Sequence, residues 1–239
     1  MIPKIIHYCW FGGKPLSEET KKYINTWKKF CPDYEIKEWN ESNFDVTQNR
    51  YCYEAYKAKK WAFVSDYARL NILYNYGGIY MDTDVEVLKS LNELLIYNAW
   101  SGFESDKQIP TGTMAAIRHN DWIKYLLSYY NDRRFLNDNG TFNMTTNVIT
   151  ITKMTKEKYN IILDGKKQIF GDNCLLLPFE YLCAKSLMDG KIRKTENTYT
   201  IHHFCGSWLT PGQKFKHNVK IILVKIFGEE IVVLLKKFI

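Results

Sequence analysis

Two carboxylates one residue apart, Asp82 and Asp84, close an apolar stretch of the 239-residue chain, NYGGIYMDTDVEVL over residues 75–88. Like charges that near repel and raise each other's pKa unless a cation or a proton lies between them. Read as a strand, IYMDTDVEV sends residues i and i+2 to one face, so both carboxylates can converge on one ion. A hard divalent cation, Mg²⁺ or Mn²⁺, accepts one or two carboxylates and completes its shell with phosphate oxygens and water. The chemistry suggested is the holding of a diphosphate. A solvated turn with no ion is the plain alternative.

A second pair precedes the first. Asp66 and Arg69 stand three residues apart within AFVSDYARLNILYNY and can pair on one helical face. A wet surface ion pair would be worth under about 1 kcal/mol. The apolar flanks AFVS and LNILY argue for a sheltered pair, with acceptors and forked donors together, as a grip on sugar hydroxyls requires.

The elements that must position these groups follow from patterning. PKIIHYCWFGG predicts a first strand ending at Gly12-Gly13. Ser17, followed by Glu18 and Glu19, predicts a helix start, and Tyr23, Ile24, Trp27 and Phe30 recur at helical spacing up to Cys31-Pro32. YEIKEW alternates as a second strand. Residues 51–76 carry the strongest helical pattern, stopped by Gly77-Gly78, and IYMDTDVEV follows as a strand. This order predicts an α/β domain with a mixed, mostly parallel central sheet flanked by helices. Ligands in such sheets bind at the carboxyl ends of the strands. Beyond residue 98 the pattern weakens: a helix over 121–135, a loop over 137–143, a strand entering a turn at CLLLPFEYL and a strand in TYTIHHFCGSWL.

Composition sets broader limits. The chain is 46% hydrophobic and 15% aromatic, enough for one sizeable core. Its net charge of +7 suits an acidic partner such as a phosphorylated ligand or an anionic membrane. No arginine-rich run or zinc-finger spacing argues for nucleic acid. The six cysteines are scattered without a Cys-x-x-Cys pair, and MIPKIIHYCWFGGK does not read as a signal peptide. Free thiols and a cytoplasmic location are expected, and the sequons at Asn40, Asn139 and Asn143 are read as chance. The tail KFKHNVKIILVKIFGEEIVVLLKKFI is too interrupted by charge to span a membrane. It suits either an interfacial helix, at the inner face of the cell membrane, or a helix packed on the core. A catalytic domain over 1–212 and a basic amphipathic helix over 213–239 are therefore expected.

SDYARLNILYNYGGIYMDTDVEVL, together with IPKIIHYCWFGG and IHHFCGSW, resembles the glycosyltransferase family 32 type with an Asp-x-Asp sugar-binding motif, which includes many capsular polysaccharide transferases. It is also similar to the catalytic domains of clostridial glucosylating toxins. The resemblance implies a nucleotide-sugar-binding glycosyltransferase A-type fold. It implies that Trp10 stacks on uracil, that Cys9 offers backbone contacts and that Ser65 touches the nucleotide. It further implies that Asp66 and Arg69 hold the donor sugar and that Tyr80 lies near the nucleotide. Asp82 and Asp84 match the metal and ribose ligands, Asp84 being the more direct metal ligand. His202 matches a further metal ligand and is preferred to His203, which points to the opposite strand face. Ser207 and Trp208 match lid residues reaching the diphosphate, although the toxins space theirs differently. Residues 98–195, which should build the acceptor site, do not align.

The implied reaction is metal-dependent transfer of a hexose or N-acetylhexosamine from a UDP-sugar to an oligosaccharide hydroxyl. Anomeric configuration would be retained through same-face attack, with the leaving phosphate helping to take the acceptor proton. A lipid-linked acceptor follows if the tail docks on a membrane. Two other readings stay open: a haloacid-dehalogenase-type phosphatase with Asp82 as nucleophile, and a nucleotide-sugar-binding protein without turnover.

Overall fold

A computed structural model describes residues 1–105, 107–206, 212, 219 and 221–224. The central sheet begins with β1 (Ile5–Cys9), parallel to both β2 (Glu35–Trp39) and β3 (Gly78–Met81). Two further strands, β5 (Ala99–Gly102) and β6 (Thr113–Ala116), extend it, β6 lying antiparallel between β3 and β5. β8 (Cys174–Leu177) runs parallel to β5, and β7 (Gln168–Phe170) closes the far edge antiparallel to β8. Thus β1, β2, β3, β5 and β8 run one way and β6 and β7 the other, the mixed, mostly parallel sheet that was expected. A separate two-stranded ribbon pairs β4 (Val85–Val87) with β9 (Thr200–His202).

Helices cover both faces. α1 (Glu18–Phe30) starts where Ser17 accepts the Thr20 amide, and its first-turn acids and last-turn lysines suit the helix dipole. It buries Ile24 and Trp27 with Ile6, Ile79 and Met81 in one core layer. On the other face lie α2 (Arg50–Lys57), α3 (Trp61–Tyr76), α4 (Asp121–Ser128) and α5 (Asn147–Tyr159). There Phe63, Leu70 and Leu73 pack with Trp122, Phe135 and Met114. The helical pattern over 51–76 is two helices, because Lys59 turns into the left-handed region at φ 56°. The helix expected over 121–135 is shorter and ends at Ser128. A last short helix, α6 (Phe179–Leu182), follows β8. Among the described residues no helix is long and apolar enough to cross a membrane. The tail helix expected over 213–239 falls almost wholly outside the described residues.

The step from α3 into β3 needs glycine. Gly78 has φ 101°, and a Cβ there would stand 2.7 Å from the Ile5 carbonyl and 2.9 Å from the His7 ring. His7 itself is fully buried. Its Nε2–H donates to the Gly77 carbonyl (2.9 Å) while Nδ1 accepts from the Trp39 indole (3.1 Å), which requires the neutral ring.

Burial, against the hydrogen bond to Gly77, lowers the His7 imidazole to about 4. The unfolded chain therefore takes up the proton first as pH falls. The stability this ring contributes is complete above about pH 6.5 and declines as pH falls toward 4, by up to about 3 kcal/mol. Urea unfolding at pH 7 and 4.5 should show that loss in the wild type and less of it in His7→Gln. An equal loss in both would rule out a buried neutral His7.

Candidate functional site

Asp66 and Arg69 face inward from α3, and Arg69 is 4% exposed. Its Nη2 stands 3.1 Å from Asp66 Oδ1, the i, i+3 pairing expected. Nη1 lies 3.3 Å from Asp82 Oδ1 and also donates to the Thr111 carbonyl (2.6 Å) and hydroxyl (2.9 Å). Nε donates to the Ser65 carbonyl, and the guanidinium lies 4.7 Å from the centre of the Tyr80 ring. The Tyr80 hydroxyl donates to Asp82 Oδ1 at 2.9 Å. Burial raises the Asp66 carboxyl to about 6 in spite of Arg69.

The strand expected to carry both carboxylates is corrected here. β3 stops at Met81, and Asp82–Asp84 is a turn closed by the Val85 amide on the Asp82 carbonyl (3.1 Å). Aspartate disfavours strands, and the chain is then captured by α1: Trp27 donates to the Val85 carbonyl (2.7 Å) and the Val87 amide to Thr26 Oγ1 (2.9 Å). The carboxylates converge through the turn rather than through strand alternation.

The ribbon supplies the third group. Val85 pairs with His202, and His202 Nε2 stands 3.2 Å from Asp84 Oδ1 and 4.0 Å from Asp82 Oδ2. One ligand atom each from Asp82, Asp84 and His202 fits within 4.8 Å. His203 points away, onto Glu86 (2.8 Å) and the Tyr23 ring, so His202 is the one aimed at the carboxylates. Burial works against charge here, yet the His202 charge and hydrogen bond, with the Cys205 amide, bring Asp84 down to about 2. Asp84 in turn raises His202 well above its ordinary value against the same burial. The imidazole thus stands beside both carboxylates. Two carboxylates and an imidazole within a few ångströms suit a divalent cation of the Mn²⁺ type.

Several neighbours carry no motif signal. Gly112 lies against the site: a Cβ there would stand 2.6 Å from His202 Cε1 and 3.1 Å from Asp82 Oδ2. Its carbonyl accepts the Asp82 amide at 2.8 Å. Thr111 receives Arg69, and the Cys205 amide donates to Asp84 Oδ2 at 2.8 Å. Asn147 donates to the Asp66 carbonyl at 3.3 Å.

The remaining sequence candidates scatter in depth. Cys9 and Tyr80 are buried. Trp10 is partly exposed, and its indole N–H donates to the Lys14 carbonyl (2.5 Å). The Ser65 hydroxyl donates to the Trp61 carbonyl within α3. Ser207 and Trp208 lie outside the described residues.

Residues 17–100 match the family model for the glycosyltransferase sugar-binding region containing a DXD motif. The chain is 33% identical over 130 residues to inositol phosphoceramide mannosyltransferase 3 of Schizosaccharomyces pombe, covering 51% of this chain and 35% of that protein. It is 28% identical over 171 residues to the uncharacterized glycosyltransferase L373 of Acanthamoeba polyphaga mimivirus, covering 65% and 67%. The chain thus spans about a third of the first relative and about two thirds of the second. The solved structure of PaToxG glycosyltransferase shares the fold, with a TM-score of 0.51 at 21% identity over 66% of this chain and 70% of that one. The resemblance to Asp-x-Asp glycosyltransferases therefore holds. The phosphatase alternative gains nothing from these likenesses, and Asp82, held by Arg69 and Tyr80, is poorly free to attack phosphorus.

Gly112→Ala should push the His202 ring off Asp84, since close-packed surroundings leave the added methyl no room. Mn²⁺ affinity, read by electron paramagnetic resonance, should fall at least about tenfold while thermal unfolding shifts by only about 1–3 kcal/mol. Unchanged affinity would separate His202 from the metal.

Proposed function

We propose that this chain is a metal-dependent, retaining glycosyltransferase. It moves a hexose or N-acetylhexosamine from a UDP-sugar to a hydroxyl of a growing surface or capsular oligosaccharide. The observation that carries this reading is the convergence of Asp82, Asp84 and His202 beside the buried Asp66–Arg69 pair. Asp82, Asp84 and His202 would hold the cation, and the imidazole favours Mn²⁺ over Mg²⁺. When bound, that cation supplies Lewis-acid stabilisation of charge on a departing diphosphate.

The chain's own residues then position the sugar. Asp66 pairs with Arg69 through Oδ1, and its carboxyl, also hydrogen-bonded by Asn147, would accept a sugar hydroxyl. Arg69 spends its donors on Asp66, Asp82, Thr111 and Ser65, which makes it the part that holds both carboxylates in register more than a grip on the sugar. Trp10 and Ser65 would line the nucleoside side, with Ser207 and Trp208 as the lid over the diphosphate. The name of the first relative denotes transfer of mannose to an inositol phosphoceramide. That supports a lipid-linked acceptor here, met by the basic tail at the inner face of the membrane.

The test is Mn²⁺-dependent release of nucleoside diphosphate from a panel of UDP- and GDP-sugars. One donor should be hydrolysed by the wild type, and Asp84→Asn should lower that rate at least about 100-fold. No release from any donor, together with no UDP binding by calorimetry, would refute the transferase.

A further inference from the structure

Beyond Asp66 the site is walled by one stretch of chain, residues 130–147, which no motif of the sequence covers. The Tyr130 hydroxyl donates to Asn147 Oδ1 (3.3 Å), and Asn147 Nδ2 donates to the Asp66 carbonyl (3.3 Å). Phe135, fully buried, packs on Phe63 with ring centres 5.0 Å apart. Phe63 stands three residues before Asp66, so the two share one face of α3.

This stretch holds an exposed aromatic ring rigidly. Glu54 accepts the amides of Phe135 and Leu136 (2.9 Å each) and the Arg134 Nε–H (3.0 Å), which ties the base of a hairpin to α2. Leu136 bridges Phe142, the Asn143 amide donates to the Phe135 carbonyl (2.8 Å), and the Asn137 amide donates to the Thr141 carbonyl (2.8 Å). Phe142 stacks on Phe135, with ring centres 5.2 Å apart and planes 17° from parallel, and is still 41% exposed. Lys60 Nζ lies 5.9 Å from the Phe142 ring centre. Lys60 opens α3 six residues before Asp66, about 9 Å along the helix axis. A loop fixed in this way by a rigid scaffold is the usual carrier of a binding function.

Beside the hairpin opens a hollow of about 590 Å³, within the size range of ligand sites. Asp132, Arg133, Asn137, Asp138, Asn139 and Asn143 line it. Leu136, the bridge partner of Phe142, lines it too, so the ring and the hollow are continuous. Among the described residues the Asp132 carboxylate and the Arg133 guanidinium have no ion-pair partner. Carboxylates, a guanidinium and side-chain amides supply donors and acceptors together, and the aromatic ring adds a flat apolar face. A pyranose presents the matching surfaces, hydroxyls around its edge and C–H groups on its faces. Met144 and Ile149, 46% and 52% exposed, would suit a lipid instead, but the polar hollow outweighs them.

We propose that this hairpin is an oligosaccharide-binding site, the place where the acceptor lies. One sugar ring stacks on Phe142, its neighbours bond to the hollow, and the end that receives the donor sugar reaches Asp66. The role as acceptor site rests on the transferase reading above.

The test adds neutral trisaccharides of glucose, galactose, mannose and N-acetylglucosamine to the full chain and follows amide hydrogen exchange. At least one should slow exchange over residues 131–147 and accelerate UDP release from the cleaved donor. Phe142→Ala should raise the trisaccharide concentration for half-maximal protection about tenfold, the worth of one aromatic contact. Phe142→Tyr should stay within about twofold of wild type, because the ring face is kept. Mn²⁺ affinity should hold in both variants. Protection confined to other segments, or none from any trisaccharide, would overturn the proposal. So would protection by phosphatidylglycerol–phosphatidylcholine vesicles alone. A loss of Mn²⁺ affinity in Phe142→Ala equal to its loss of trisaccharide would also overturn it, by making the hairpin a prop of the metal site. A chain that cleaves no donor yet binds a trisaccharide here would refute the transferase and keep the glycan site. An active chain indifferent to every trisaccharide would refute the hairpin assignment alone.

Discussion

A buried guanidinium governs the arrangement. Arg69 comes from the middle of α3 and meets the end of β3 through Asp82, the start of β6 through Thr111, and its own helix through Asp66 and Ser65. Removing one partner from such a buried charge set costs roughly 3–5 kcal/mol, because the others are left uncompensated. Three elements distant in sequence are thereby held at one point, and the two carboxylates that touch Arg69 cannot drift apart. The lower core layers supply the bulk of burial, but the register of the site depends on this one cation.

The ribbon of β4 and β9 solves a second problem. β3 ends at Met81, and among the described residues no strand of the central sheet brings an imidazole alongside the carboxylates. Leaving the sheet at the Asp82–Asp84 turn lets β4 pair with β9, whose last residue is His202. α1 holds the ribbon in place from beneath through Trp27 and Thr26, and the Cys205 and His203 amides bind Asp84 through its carboxylate and carbonyl. The positive φ of Phe204 and Gly206 turns the backbone sharply just beyond the histidine pair.

Where pattern is local, the chain was legible. The Ser17 cap, the apolar face of α1, the α3 stop at Gly77 and the Asp66–Arg69 spacing all depend on neighbours within a turn or two. The strand through Asp82 and Asp84 was misread because periodicity cannot tell a strand that continues in its sheet from one that leaves through a tight turn. His202 was found through its resemblance, since no local rule links a residue near 200 to a turn near 83. Between residues 98 and 195 the strands are three or four residues long, too short for alternation to register. Thr111 and Gly112 matter through what the fold brings against them, Arg69 in one case and His202 in the other, and that is a property of tertiary placement rather than of spacing.

The ribbon also orders events in time. The carboxylate turn is complete once residue 84 has been made, but its imidazole waits for residue 202, more than a hundred residues later. During synthesis the first three strands of the sheet can assemble with Asp82 already paired to Arg69 and Asp84 still without its imidazole. Closing so long a loop is slow relative to local helix formation. The Asp-Asp-His cluster is therefore completed late, when the chain has threaded its late strand back against its early one.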